Sequence, residues 1–180
     1  QIYADALRRL ASERQNTAGV AERPGTDSIL AATGEIFAKL LLSGAAGVSA
    51  REEIGDEAYP YLRALGLDDR IVTHALNTRL FKPTASVNKH EPVHRIVAEY
   101  CAAEYLVQRI EDATSALSLR RCLAVIAPNG AVRSELRGTL GWMASLGGRD
   151  IQEAIVDLDP YAVFANGDAG QLLRSSKQRL

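Results

Sequence analysis

Thr78-Arg79-Leu80-Phe81-Lys82-Pro83-Thr84-Ala85-Ser86-Val87-Asn88-Lys89 is the stretch on which the fold turns. The chain around it is punctuated for helices. This run is different: Thr78 to Lys82 is short, carries Thr and Phe, and gives way at Pro83 to a polar loop, so it reads as a strand and turn. Just downstream, Glu91-Pro92 opens the longest helix, placed over about 92–111. Proline is tolerated in a first helical turn, where its missing N–H removes no hydrogen bond. Upstream lie three helical runs. The first, about Ser28 to Leu42, has Ile29, Ile36, Phe37, Leu40 and Leu41 on one side and stops at Gly44. The second, Glu57 to Leu65, follows the capping-box spacing Ser49-x-x-Glu52 and ends at Gly66, a residue suited to a left-handed cap. The third, Arg70 to Leu76, takes Asp68 or Asp69 as its cap. Helix, helix, helix, strand, loop, helix is the order of a winged helix-turn-helix.

Outward from this block the pattern stays helical. Residues Gln1 to Arg14 form an amphipathic run through Ile2, Ala6, Leu7 and Leu10, and residues 15–19 and 23–26 read as a polar linker. On the other side, Asn129-Gly130 and Gly147-Gly148 bracket one helix. Asp150-x-x-Glu153 is a cap for the next, Asp159-Pro160 breaks it, and Asp168-x-x-Gln171 is a cap for the last. Short paired helices of this kind suit stacked helical-repeat packing, although no fixed period is present. The expectation is a mainly α chain in three parts. Residues 1–25 are a leading helix and linker, 26–111 a winged-helix domain with a small β-wing, and 112–180 the start of an α-helical repeat array of hairpins.

Composition narrows the function classes. The 180 residues are 47% hydrophobic and 24% charged, with a net charge of −1, which excludes collagen-like and disordered classes. A balance so near neutral argues against a protein devoted to coating nucleic acid. No apolar run approaches the ~20 residues that span a bilayer, so no membrane partner is expected. The two cysteines, Cys101 and Cys122, sit apart in apolar helical runs and read as buried, reduced thiols, which with the lack of a leader suggests a cytoplasmic protein. A start at Gln1 rather than Met, and an end at Arg179-Leu180, suggest a piece of a longer protein.

Motifs for catalysis are thin. His90-Glu91-Pro92-Val93-His94 matches the H-E-x-x-H zinc-peptidase pattern, which needs both imidazoles one turn apart on a continuous helix. Pro92 between them disfavours that helix and leaves His90 in the loop, so zinc is a remote alternative and no metal ligand is assigned. No phosphate-binding G-x-x-x-x-G-K-S/T loop occurs, nor G-x-G-x-x-G, nor a G-x-S-x-G elbow, so no catalytic residue is assigned. The acid pairs Glu52-Glu53 and Asp68-Asp69 fall at helix starts, where the helix dipole suffices to explain them. A DNA-binding winged helix is the alternative function, but the expected recognition helix Arg70 to Asn77 has a single arginine and several apolar residues.

Two stretches carry a resemblance. Val93-His94-Arg95-Ile96-Val97-Ala98-Glu99-Tyr100-Cys101-Ala102-Ala103-Glu104-Tyr105-Leu106 resembles the winged-helix-domain helix of bacterial NACHT-type STAND NTPases, a family of signalling and defence ATPases. In that family a hydrophobic residue and a histidine are followed by glutamate, an aromatic and an Ala-Ala pair. Thr78-Arg79-Leu80-Phe81 resembles the strand that precedes this helix. Leu136-Arg137-Gly138-Thr139-Leu140-Gly141-Trp142-Met143-Ala144 is similar to a later helix, and Asp159-Pro160-Tyr161 with Asn166-Gly167-Asp168-Ala169 is similar to the family's Asp-Pro and Gly-Asp signature. The resemblance spans about residues 28–180 and departs at Val93 and Cys101, where the family often has larger side chains.

The resemblance implies a non-catalytic regulatory segment that couples nucleotide state to conformational switching, in bacteria as part of antiphage defence. His94 matches the histidine that reaches the β-phosphate of ADP held by the ATPase core, and Arg95 either assists it or pairs with Glu99 one turn on. Glu99, Tyr100, Ala102, Ala103, Asp159, Pro160, Gly167 and Asp168 are implied as structural motif residues. ATP or ADP and magnesium belong to the parent protein's core and not to this segment. The partners implied are that core, through an intramolecular contact, and further copies of the parent on activation; nucleic acid is not expected.

Overall fold

The computed structural model describes residues 2–13, 24–53, 55–67, 70–86 and 88–180. The expected linker at 15–19 and Arg23, and the caps Asp68 and Asp69, lie outside the described residues. The chain is mainly helical with one small three-stranded antiparallel sheet. It divides into two compact units, Gln1–Ala98 and Glu99–Leu180, with the division inside the 17-residue helix Arg95–Glu111; the sequence reading set its boundary after residue 111.

The first unit contains α1 (Ile2–Ser12), α2 (Thr26–Ser43), β1 (Val48–Ser49), α3 (Arg70–Leu76), β2 (Phe81–Pro83) and β3 (Lys89–Pro92), with α4 (Arg95–Glu111) starting at its end. Helix α2 stops at Gly44, whose φ of 78° is open to glycine at little cost. Ile29, Ile36, Phe37 and Leu40 of α2 are buried with Val48, Leu80 and Phe81, and the rings of Phe37 and Phe81 lie 4.7 Å apart. Each such side chain contributes roughly 1.5–3 kcal/mol by leaving water.

The sheet runs in the order β1-β3-β2. Phe81 pairs with Pro92, Lys82 with Glu91 and Pro83 with His90 in the hairpin, while Val48 pairs with His90 across the other edge. Three expectations are corrected here. The strand begins at Phe81 and not at Thr78, because Thr78 Oγ1 donates to the Ala75 carbonyl at 2.7 Å and accepts from Leu80 N–H at 3.3 Å, holding 78–80 in the turn that leaves α3. The long helix begins at Arg95 and not at Pro92, because Glu91 and Pro92 are taken by the ladder and a residue before proline is steered to extended geometry. The Ser49 capping box does not form. Ser49 lies in β1, its hydroxyl accepts from Arg51 N–H at 3.2 Å, and the run 57–65 contracts to a 3₁₀ turn, Leu62–Leu65, ended by Gly66 at φ 67°.

The second unit is helical throughout: the body of α4, then α5 (Leu119–Ile126), α6 (Arg137–Leu146), α7 (Arg149–Leu158), α8 (Pro160–Asn166) and α9 (Arg174–Arg179). Helix α6 is its axis, with Gly138 to Ser145 all buried and both α7 and α8 packed on it. Two caps differ from expectation. The N-cap of α7 is Gly148, whose N–H donates to Glu111 Oε1 at 2.8 Å, so Asp150 only faces the first turn. Asp168 accepts from Gly170 N–H at 2.9 Å and caps a single 3₁₀ turn, while α9 starts later, at Arg174. Among the described residues no helix is long and apolar enough to cross a membrane.

Candidate functional site at the start of helix α4

Strand β3 delivers the chain to His94. Val93 N–H donates to the Leu80 carbonyl at 2.9 Å, which fixes the exit from the hairpin, and the His94 carbonyl accepts from Ala98 N–H at 3.2 Å, which opens the helix. His94 is therefore the residue at the N-terminal boundary of a 17-residue helix. His94, Arg95 and Ile96 are all exposed. Unpaired N–H groups and the aligned peptide dipoles make such an end attractive to anions, and imidazole and guanidinium add side-chain donors. Arg95 also lines a cleft of about 200 Å³ with Glu91 and Pro92, backed by Phe37, Leu40 and Ala98.

The ground beneath this site is a charged network. Lys89 Nζ bridges Glu53 and Asp56, at 2.6 Å from each, and stands 5.3 Å from the centre of the Tyr59 ring. The Tyr59 hydroxyl donates to Glu91, which Lys82 holds at 3.1 Å from its other side. The Tyr59 hydrogen bond and then the Lys82 contact hold the Glu91 carboxyl below its usual range, while the same Glu91 bond raises Tyr59. Asp56 is lowered chiefly by its hydrogen bond from Lys89, and Lys89 is raised chiefly by that same bond. Asp56 and Tyr59 carry no sequence signal, and Glu53, expected at a helix start, precedes no helix and pairs with Lys89 instead, because the partners of all three lie some thirty residues downstream.

His90 does not join His94. It lies in β3 between Val48 and Pro83, so the two imidazoles of H-E-x-x-H do not project from one helix, and no group of three His, Cys, Asp or Glu suited to a metal occurs among the described residues. Helix α3 turns Val72, Ala75 and Leu76 inward and leaves Arg70, Thr73 and Asn77 exposed.

The other motif residues converge on α6 within the second unit. Ala102 and Ala103 are fully buried, and Tyr100 meets Trp142 edge-on at 5.1 Å. A methyl group on Gly138 would overlap the Glu99 carboxylate, the flexible end of a side chain that packs over this glycine. A Cβ on Gly141 would overlap the Ala162 carbonyl oxygen, and one on Gly167 would overlap the Gly141 carbonyl oxygen. Asp159 accepts from Ala162 N–H at 3.1 Å as the cap of α8, with Pro160 in the first turn, and its other oxygen meets Arg137 Nε at 2.9 Å. Asp168 N–H donates to Ser145 Oγ at 2.6 Å, and that hydroxyl donates to the Gly141 carbonyl at 3.0 Å. These residues organise packing. The thiols are likewise interior: burial pushes Cys122 up to about 11 and Cys101 higher still, which leaves both protonated at neutral pH.

No protein-family model, curated protein or solved structure matches the chain.

Proposed function

We propose that this chain is a non-catalytic regulatory segment of a NACHT-like STAND NTPase, a winged-helix domain followed by helical repeats. In this reading, His94, with Arg95 beside it, contacts the β-phosphate of ADP held by the ATPase core of the longer protein. One observation carries the reading: within the helix that resembles the family, the matching histidine stands exposed at the N-terminal boundary, where a phosphate oxygen can be met by imidazole, guanidinium and helix dipole together. The hairpin β2–β3 after α3 supports the winged-helix arrangement, and the helical second unit supports the repeats. These residues fit a phosphate; the adenine, ribose and magnesium contacts belong to the core.

The logic is a two-state switch. A contact made only in the ADP form stabilises a closed, resting molecule, and exchange for ATP removes that preference and favours an open, oligomerising form in the cytoplasm. The site shifts the equilibrium only as far as it binds one state better than the other. Two measurements test it. The reading frame upstream of Gln1 encodes a phosphate-binding loop; a frame without one contradicts the proposal. In the full-length protein His94→Ala raises basal ATP turnover several-fold, and an unchanged rate speaks against the sensor role.

A further inference from the structure

The sequence holds two Asn-Gly dipeptides, Asn129-Gly130 and Asn166-Gly167. Glycine after asparagine leaves the main-chain nitrogen unshielded, so that nitrogen can reach the asparagine's own side-chain carbonyl carbon and close a five-membered ring. The backbone between the two residues must first turn until N and Cγ meet. The room and the restraints around each pair therefore decide whether the ring forms. Both pairs lie in the second unit, and their surroundings are opposite.

Asn129 and Gly130 form the tip of a tight turn on the way from α5 to α6. Asn129 lies in left-handed backbone, φ 60° and ψ 24°, and Gly130 follows at φ 79°, as the two central residues of a type I′ turn do. Among the described residues, Asn129 alone of the non-glycine residues has a positive φ, a region asparagine tolerates better than most. Pro128, Asn129 and Gly130 are all exposed, and a Cβ on Gly130 would meet nothing within 4 Å. Two backbone bonds close the tip: Gly130 N–H donates to the Ala127 carbonyl at 3.1 Å, and Ala131 N–H to the Pro128 carbonyl at 3.4 Å.

Asn166-Gly167 is held in place. Asn166 ends α8, its amide donates to the Ala162 carbonyl at 3.4 Å, and Gly167 N–H donates to the Val163 carbonyl at 3.1 Å. A Cβ on Gly167 would overlap the Gly141 carbonyl oxygen and stand 2.8 Å from Ser145 Oγ, the hydroxyl that also accepts Asp168 N–H at 2.6 Å. The Gly167 nitrogen cannot swing toward Cγ without pushing α8 off α6, where the chain is packed to interior density.

We propose that Asn129 is a site of spontaneous covalent modification in the folded protein, and that the fold protects Asn166. The Gly130 nitrogen gives its proton to solvent base and bonds to Asn129 Cγ; the bond from Cγ to the side-chain nitrogen breaks, and that nitrogen leaves, protonated, as ammonia. Water then opens the ring at either carbonyl. One product is an ordinary aspartyl residue. The other is isoaspartyl, with a free α-carboxylate and the main chain running through the former side chain. Either adds a negative charge to the exposed turn, and the second lengthens the connection from α5 to α6 by a carbon. The reactants are this chain and water alone, and the site does not rest on the nucleotide reading.

The test incubates the whole chain in mildly alkaline buffer, folded and in guanidinium chloride. Trypsin separates the two pairs, since residues 122–133 carry Asn129 and residues 150–174 carry Asn166. Mass spectrometry reads the gain of an amide-to-acid conversion, fragmentation places it, and chromatography resolves the aspartyl and isoaspartyl products. In the folded chain Asn129 converts at least about tenfold faster than Asn166 and yields both products, while in denaturant the two rates agree within about threefold. A folded chain in which Asn129 does not convert, or in which Asn166 keeps pace with it, overturns the proposal. So does a gap that persists unchanged in denaturant, because the fold would then not be what protects Asn166.

Discussion

In the first unit, segments far apart in sequence are tied by charge: Lys89 bridges Glu53 and Asp56, and Lys82 and Tyr59 hold Glu91 from two sides. In the second unit, backbone lies directly on backbone, Gly141 against Ala162 and Gly167 against Gly141. The difference has consequences for how each responds to its surroundings. Exposed ion pairs are weakened by salt and by titration. A close backbone approach ignores both but tolerates no added atom, since interiors are packed to crystal density.

The largest expected effect therefore falls on such an approach, one the first unit also contains where Gly47 meets the His90 carbonyl oxygen. Gly141→Val places a branched side chain where even one Cβ overlaps the Ala162 carbonyl oxygen, and overpacking of this kind costs about 3 kcal/mol. Thermal melts followed by the fluorescence of Trp142, the chain's single tryptophan, report it. The lowered midpoint should not depend on salt; a salt-dependent loss would break the contrast.

Asp159→Ala comes next. It removes the cap of α8 and the contact to Arg137 together, and the cap alone contributes about 1 kcal/mol. Asp159→Asn keeps an acceptor for Ala162 N–H and should recover most of the loss. Equal melting points for the two variants would mean that the ion pair, not the cap, dominates.

Lys89→Met should lower the first unit's stability by less, and the loss should shrink as salt is added. The sign of the pH response follows from the raised Lys89: its contribution is fully present below the ordinary lysine value of 10.5 and is lost as pH climbs above it. The lowered Asp56 and Glu91 give the opposite limb, present above their ordinary values of 3.8 and 4.5 and lost as pH falls below them. The second unit shares that acid limb through Asp112, lowered chiefly by Thr114, and Glu135, lowered chiefly by its own backbone N–H. Alkali alone does not separate the units, because the buried Cys101 and Cys122 of the second, raised from 9.0, also lose their contribution as pH climbs. The salt dependence of the Lys89→Met loss, measured by hydrogen exchange resolved to each unit, does, and a loss indifferent to salt breaks the comparison.

The smallest effect belongs to His90. Its value is lowered by burial, so the unfolded chain takes up a proton first. The stability it contributes is complete above its ordinary 6.5 and fades as pH falls from there. Urea midpoints at pH 7.5 and 5.5 should converge in His90→Phe and differ in the wild type; a wild type without that difference removes the effect.

The same contrast decides what was legible in the sequence. Gly44, Gly66 and the Asp159-Pro160 break were readable because each is a local event: a left-handed cap or a cap-plus-proline start needs no distant partner. Strand β1 was not readable, since Val48 becomes a strand only by pairing with His90, and that pairing also defeated the Ser49 capping box. The start of α7 was misread for a similar reason, as Gly148 is capped by Glu111 from another helix. At the candidate site, the sequence located a helix start near His94 but put it three residues early, because Pro92 serves the ladder. The Glu91–Tyr59 contact beneath the site left no sequence signal, being a pairing across a loop and a sheet.

The central claim concerns His94, and the ratio of ADP to ATP affinity tests it most directly. In the full-length protein, calorimetric titration of both nucleotides into wild type and His94→Ala should show ADP weakened by about tenfold. ATP should change by no more than about twofold, with melting temperatures unaltered. Equal weakening of both nucleotides, or no change in either, contradicts a histidine that reads the resting state.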